Sequence, residues 1–302
     1  MAQATAAPTM PPAREMGPTG FRSNLRGVQD GIFWGLCGLA LLAIIAPSVW
    51  IIVGLLRDTW PVLTPQLLTN TTAHDGLQNA ILGTLLLSVG VLIVAGILGV
   101  AAGIYISEFS RGRTGRVFRF LSEVLAGIPS IVVGYTGYVL LVVAFGWKYS
   151  LLAAVFALTT IVIPYIVKTT EVSLNQVPTN LREGARALGL PMIATLRKVL
   201  LPPAMPGIVT GLVVALAIST GETAPLLYTA GFTDQNPTLH LTGFPVPYLT
   251  YVVFTDIQLP SAKSHELANA AAVVTLFFLL LLIFAGRALA VQAARRTARM
   301  SL

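Results

Sequence analysis

Six long apolar blocks decide most of what this chain is able to fold into. They run over residues 31–56, 77–106, 122–145, 150–168, 205–229 and 269–290. A helix needs about 20 apolar residues to cross a bilayer, and these blocks have that length. Lipid offers no partners to backbone amides, so spans this long are helices; barrel strands are about half as long. Composition agrees, with 55% hydrophobic and only 10% charged residues, where a soluble domain carries roughly a quarter charged. The expected fold class is all-α: a polytopic membrane protein with six transmembrane helices.

The connections between the blocks carry the charge. The net charge of +7 does not gather into one patch, so a nucleic-acid partner is not expected. Of the 19 Lys and Arg residues, sixteen fall in alternate connections. These are Arg14, Arg22 and Arg26 before the first block, Arg111, Arg113, Arg116 and Arg119 after the second, and Lys168, Arg182, Arg186, Arg197 and Lys198 after the fourth, with Arg287, Arg295, Arg296 and Arg299 at the end. The other connections hold only Arg57, Lys148 and Lys263. The positive-inside rule then puts both termini in the cytoplasm. Residues 1–30 are expected to be a disordered cytoplasmic tail, 31–56 an uncleaved first span, 76–290 one transmembrane domain of five helices, and 291–302 a short cytoplasmic tail.

Some chemistries are not expected. Cys37 stands alone inside an apolar run and is expected to be a small buried residue. His74, His240 and His265 are scattered over the connections, without metal-ligand spacing. No metal site and no catalytic residue is expected, and a membrane-embedded enzyme is disfavoured. The chain also has no Gly-Lys-Ser/Thr phosphate cradle, so it is expected to bind neither ATP nor another cofactor itself.

Residues 178–202 form an amphipathic connection. Asn180 is a candidate N-cap with Glu183 in capping-box position. Leu181, Ala185 and Leu188 share one helical face. Gly189 suits a left-handed helix end, and Pro191 opens a second short helix that Pro202 and Pro203 should stop. An interfacial anchor would have the same periodicity. The residue pattern, however, resembles the EAA loop of ABC-importer permeases: Glu183, Ala185, Gly189, Leu201 and Pro202 stand at its spacings, with Gly184 and Val199 as departures. The resemblance implies a type I ABC-importer permease fold and a coupling helix docked on an ATPase subunit dimer, with Ala185 and Gly189 allowing close approach. It also implies a second homologous permease subunit. The segments GIYISEF (103–109), AGIPSIVVGYTGY (126–138) and GETAPLLYTAG (221–231) further resemble PstA-type phosphate permeases. That implies inorganic phosphate as substrate, an extracytoplasmic phosphate-binding protein as partner, and the bacterial cytoplasmic membrane as location. A permease of the same class for sulfate or molybdate, or a secondary transporter, are the alternatives.

Glu222 falls well inside the fifth block. A carboxylate at membrane depth costs roughly 2.5–3.5 kcal/mol on insertion scales, which makes it a substrate-pathway candidate. Pairing with a neighbouring helix is the other reading. Thr220 and Thr223 flank it and have donors for phosphate oxygens or for their own helix. Gly221 with Pro225 predicts a kink that frees carbonyls there, and Pro129 and Pro164 predict kinks in blocks three and four. Gly134 and Gly137 are expected to admit a neighbouring helix. Glu123 is expected to pair with Arg119 or another loop arginine. Relatives in the resembled family carry an Arg four residues before the glutamate; here it is Ile218. The 230–268 connection, with Phe232, Phe244, Tyr248 and Tyr251, offers either exposed aromatics for a binding protein or a lid folded over the pore mouth.

Overall fold

The computed structural model describes residues 20–110 and 112–300. They divide into two compact units, residues 1–54 and 55–302. The first unit is helical from Gly20 onward and supplies most of α1 (Gly20–Thr59). Its apolar residues are open, with Trp34 72% and Trp50 82% exposed, as expected of a span facing lipid or another chain. Cys37 is exposed as well, which corrects the expectation that it is buried. Residues 20–30 belong to the helix rather than to a disordered tail; residues 1–19 lie outside the described residues.

The regular elements of the second unit are all helices, with no strand among its described residues. Short turns lead to α2 (Gln78–Ile104), which ends in a π turn, Tyr105–Phe109. Then come α3 (Arg113–Gly127), α4 (Ser130–Gly137) with a π turn at Tyr138–Ala144, and α5 (Leu151–Asn175). The short α6 (Thr179–Ala187) precedes α7 (Leu201–Gly221) and α8 (Ala224–Thr229), and α9 (Leu249–Asp256) precedes the long α10 (Ala262–Met300). Over both units, five helices among the described residues are long and apolar enough to cross a membrane, and counting one bent pair as a span gives six.

That bent pair corrects the third span. Instead of one helix over 122–145, α3 and the Ser130–Ala144 stretch meet at 96°. Ile128 is extended before Pro129, as the pre-proline clash demands. The arginines expected in a loop sit on α3, whose amphipathic pattern makes it helical. The helix of the last block also continues past 290, to Met300.

The second correction concerns the prolines at 202 and 203. They do not stop the helix: Met192–Gly221 runs on as one span of 30 residues. A π turn at Thr195–Leu200 leads into them, and they occupy the first positions of α7. There a missing N–H costs little, because a fresh first turn leaves its N–H groups unpaired anyway.

Helix α5 is the most buried span and packs against α2, α3, α4, α7 and α8. Leu158, Val162 and Ile166 from it join Leu87 and Val91 of α2, Ala215 of α7 and Tyr248 in one core. In lipid, apolar burial alone does not hold helices together; close packing does. Gly99 and Gly103 provide it, since an added Cβ would lie 2.8 Å from Ile166 Cβ and 2.6 Å from Thr170 Cβ respectively. Gly134 and Gly137 do the same for α8, against Pro225 and Thr229.

Candidate functional site

Two regions hold the candidate residues, about 45 Å apart along the Met192–Gly221 helix at 1.5 Å per residue. At one end lies α6. Its N-cap is Pro178 rather than Asn180, and no side chain caps it. Proline fixes the chain in the extended form that leads into a first turn, so the helix starts two residues earlier than the capping box predicts. The other end of α6 closes at Gly189, with φ +66°, where Leu190 N–H reaches Ala185 O (3.1 Å) and Gly189 N–H reaches Arg186 O (3.0 Å). This is a Schellman closure, and it needs a residue at ease with positive φ.

The closure decides which residues face out. Ala185 is 4% exposed, buried within its own chain where α6 packs on Thr195–Leu200. That corrects its expected part as an outward contact point. Glu183 and Gly189 are exposed, and Leu201 and Pro202 are half-buried at the start of α7. The most exposed apolar residues here are instead Leu188, at 79%, and Ile193, at 64%.

Two residues absent from the expected site turn out to hold α6 in place. Arg182 Nη1 donates to both carboxylate oxygens of Glu108 (2.7 and 2.5 Å), and its Nη2 donates to Leu174 O (2.7 Å). The Glu108 side chain is 5% exposed. The signal in the sequence was the single carboxylate of the GIYISEF segment, set beside an apolar span where a lone charge is costly. Nearby, Arg119 Nε donates to Glu171 Oε1 (2.6 Å), tying α3 to α5. Glu123 is exposed, so Arg119 pairs with the more deeply buried carboxylate. A cavity of about 210 Å³ lies between α3 and α5, lined by Arg119, Glu123, Pro164, Lys168 and Glu171. Pro164 itself lies buried in the uninterrupted α5.

The other region is a break between α7 and α8. Glu222 does not lie inside a helix: α7 ends at Gly221, and Glu222 is extended (φ −73°, ψ 134°). Pro225 lies in the first turn of α8, where it needs no donor. The Glu222 carbonyl, freed by the break, accepts from Thr250 Oγ1 (2.9 Å). Glu222 and Thr223 are half-buried, and no hydrogen bond or ion pair reaches the Glu222 carboxylate among the described residues.

Thr220 is turned elsewhere. Its hydroxyl donates to Leu216 O (2.8 Å) and lies 3.3 Å from Ser88 Oγ. Thr84, Ser88, Ser219, Thr220, Tyr248 and Thr250 line a void of about 10 Å³, roughly the room one water needs. The Tyr248 hydroxyl is buried there without a partner among the described residues. The structure therefore brings Thr220 into a neutral hydroxyl cluster and leaves Glu222 and Thr223 outside it. Tyr248 is 1% exposed, and Phe232 stacks on Tyr251 at 4.2 Å. These aromatics are folded in, and Phe244, 49% exposed, remains at the surface. Ile218 lines an apolar groove between α7 and α10. No cation occurs in α7 or α8, and no group of His, Cys, Asp and Glu suited to a metal occurs among the described residues.

Known proteins resemble this arrangement at two levels. The family described as "Binding-protein-dependent transport system inner membrane component" matches residues 95–299. "Phosphate transport system permease protein PstA 2" of Mycobacterium bovis is 49% identical over 264 residues, covering 87% of this chain and 88% of its own length. The protein of Pasteurella multocida named "Phosphate transport system permease protein PstA" is 38% identical, over 84% of this chain and 88% of its own. Among solved structures, a chain of the inward-facing MetNI methionine ABC transporter superposes with a TM-score of 0.59. It is 21% identical, with 72% of this chain and 97% of that chain covered. At that identity the likeness concerns the fold, which is that of type I ABC-importer permeases.

Proposed function

The chain belongs to the family of binding-protein-dependent transport system inner membrane components, and from that membership we propose that it is the permease subunit of an ATP-driven importer of inorganic phosphate. The observation that carries the substrate is the 49% identity to a phosphate permease over most of both chains. It acts with a second, homologous permease subunit, an ATPase subunit dimer and an extracytoplasmic phosphate-binding protein, in the bacterial inner membrane with both termini cytoplasmic. ATP is bound and hydrolysed by the ATPase subunits, and this chain contributes no catalytic residue and no cofactor.

In this reading α6 and the turn after it are the docking element. Leu188 and Ile193 are the apolar residues a partner covers, Glu183 and Gly189 flank them, and Ala185, Leu201 and Pro202 hold the element to the membrane helices. ATP-driven approach of two ATPase subunits moves α6, and the membrane helices shift about a central pathway. Glu222 and Thr223 at the helix break are the substrate-pathway candidates of this subunit, and Thr220 contributes through the hydroxyl cluster. At neutral pH phosphate still carries a hydroxyl that donates a hydrogen bond to a carboxylate, whereas sulfate carries none and leaves the acceptor unpaired. With Ile218 in place of a cation, compensating positive charge comes from the partner permease.

Uptake of radiolabelled phosphate and of sulfate tests the proposal, in cells that lack their own importers and express this chain with its partner subunits. Phosphate uptake that unlabelled sulfate does not compete with is expected. Uptake of sulfate alone overturns the substrate, and uptake that persists when the ATPase subunit is inactivated overturns the ATP-driven class. A Glu183→Ala, Gly189→Ala double variant is expected to stay in the membrane while losing ATP-coupled transport.

A further inference from the structure

Among the described residues, Arg182 is the side chain whose hydrogen bonds join three elements at the α6 end. It projects from α6, grips Glu108 in the π turn that ends α2, and donates to the Leu174 carbonyl in the last turn of α5. Each contact is charge-assisted, and such bonds are shorter and about twice as strong as neutral ones. Glu108 is placed for this by its π turn, in which Ser110 N–H bonds back to Tyr105 O across five residues (2.9 Å). A one-turn π bulge changes the direction in which the residues after it project, and such bulges collect at functional sites. Ser107 holds the same region, its hydroxyl lying 3.0 Å from Glu108 Oε1 and 3.2 Å from Asn175 Oδ1.

The remaining contacts of α6 are weaker in kind. Leu181 and Leu188 point outward, and no side chain caps the helix. Ala185 is buried where α6 packs on the Thr195–Leu200 turn, a contact without side-chain hydrogen bonds among the described residues. The Arg182–Glu108 pair is therefore the stiffest link from α6 to α2, and the Leu174 contact is the link to α5, the central helix. Glu171, one turn before Leu174, receives Arg119 from α3, so a push on the end of α5 also reaches α3.

We propose that Arg182 and Glu108 are positioning residues for coupling: a strut that transmits movement of α6 to α2 and α5. This rests on the reading of α6 as the ATPase-docking element. A mere anchor would set how much complex assembles. A strut sets how much transport each ATP yields.

The experiment uses the full complex, purified and reconstituted in liposomes with the binding protein and phosphate, and reads ATP hydrolysed per phosphate imported. In Glu108→Gln the ratio is expected to rise about tenfold, within the range typical of coupling between sites, at unchanged ATPase-subunit content. The Arg182→Gln, Glu108→Gln double variant strands no charge and is expected to match the single variant, because both break one link. An unchanged ratio in Glu108→Gln, or losses that add in the double variant, overturns the strut. If neither variant assembles, the pair is a folding contact and the proposal falls. Leu188→Asp separates the underlying reading: it should lose the ATPase subunit from the purified complex. Retention of that subunit with full transport overturns α6 docking itself, independently of the strut.

Discussion

The two ends of the Met192–Gly221 helix are built from opposite chemistry. At the α6 end, ion pairs hold the elements together: Arg182 with Glu108, and Arg119 with Glu171. At the break between α7 and α8, neutral hydroxyls and one freed carbonyl do so, and the Glu222 carboxylate is left without a partner among the described residues. Charge is affordable where the span meets the polar interface, and an ion pair there fixes geometry as well as contributing energy. Deeper in the bundle, hydroxyls satisfy one another and the backbone at small cost. They reorganise easily, because a hydroxyl donates and accepts and its proton rotates. The difference separates a stiff, ion-paired end from an adaptable, hydroxyl-lined one, which on the proposed function are the coupling end and the substrate end.

The comparison breaks first at Arg182. Arg182→Ala leaves Glu108 buried and uncompensated, and is expected to cost about 3–5 kcal/mol. Thermal unfolding in detergent should show a fall of about 10 °C at this chain length; a fall of a degree or two would mean that the stiff end is held by packing instead. The hydroxyl end should respond less. Thr250→Val removes the donor to the Glu222 carbonyl at near-constant volume, and is expected to cost about 1 kcal/mol. If its unfolding midpoint matches wild type, the break is held by backbone geometry alone.

Tyr248→Phe is expected to change stability by less than about 0.5 kcal/mol, or to raise it, because the hydroxyl it deletes has no partner and only a desolvation cost. A clear loss would mean that a bound water or substrate oxygen bridges that hydroxyl to Thr84 or Ser88. The smallest effect is expected at Asp256 in α9. Partial burial, and after it the charge of Asp234, hold its carboxyl above the usual aspartate range. A raised folded pKa favours the folded state most below the unfolded value near 4, and that contribution is lost as pH rises through the folded value. Asp256→Asn should therefore raise the midpoint slightly at pH 7 and not at pH 4. Equal shifts at both would remove the carboxyl as the cause.

Residue spacing carried the membrane architecture. Apolar blocks long enough to cross lipid leave the backbone no option but helix, and that constraint is local, so it is legible in one sequence. The left-handed turn at Gly189 and the break around Gly127–Pro129 were legible for the same reason, since glycine and proline restrict their own backbone. The run of the helix through Pro202 was not, because a π turn upstream absorbs the missing donors and nothing in the proline itself announces it.

Charge partners were the least legible. The pairs Arg182 with Glu108 and Arg119 with Glu171 are 74 and 52 residues apart in the chain. A sequence shows that each charge is costly without showing which opposite charge stands near. Ala185 looked like an outward residue because periodicity gives a helix an apolar face without saying what meets it; packing on Thr195–Leu200 turned it inward. Glu222 looked embedded in a helix until the break placed it in extended chain. The sequence by itself determined that the apolar blocks are helices and which glycine and proline turn the chain, because backbone chemistry acts on near neighbours. Tertiary structure alone decided which charges pair, which small residues face inward and which carboxylate stays unpaired, because those depend on distances that only packing sets.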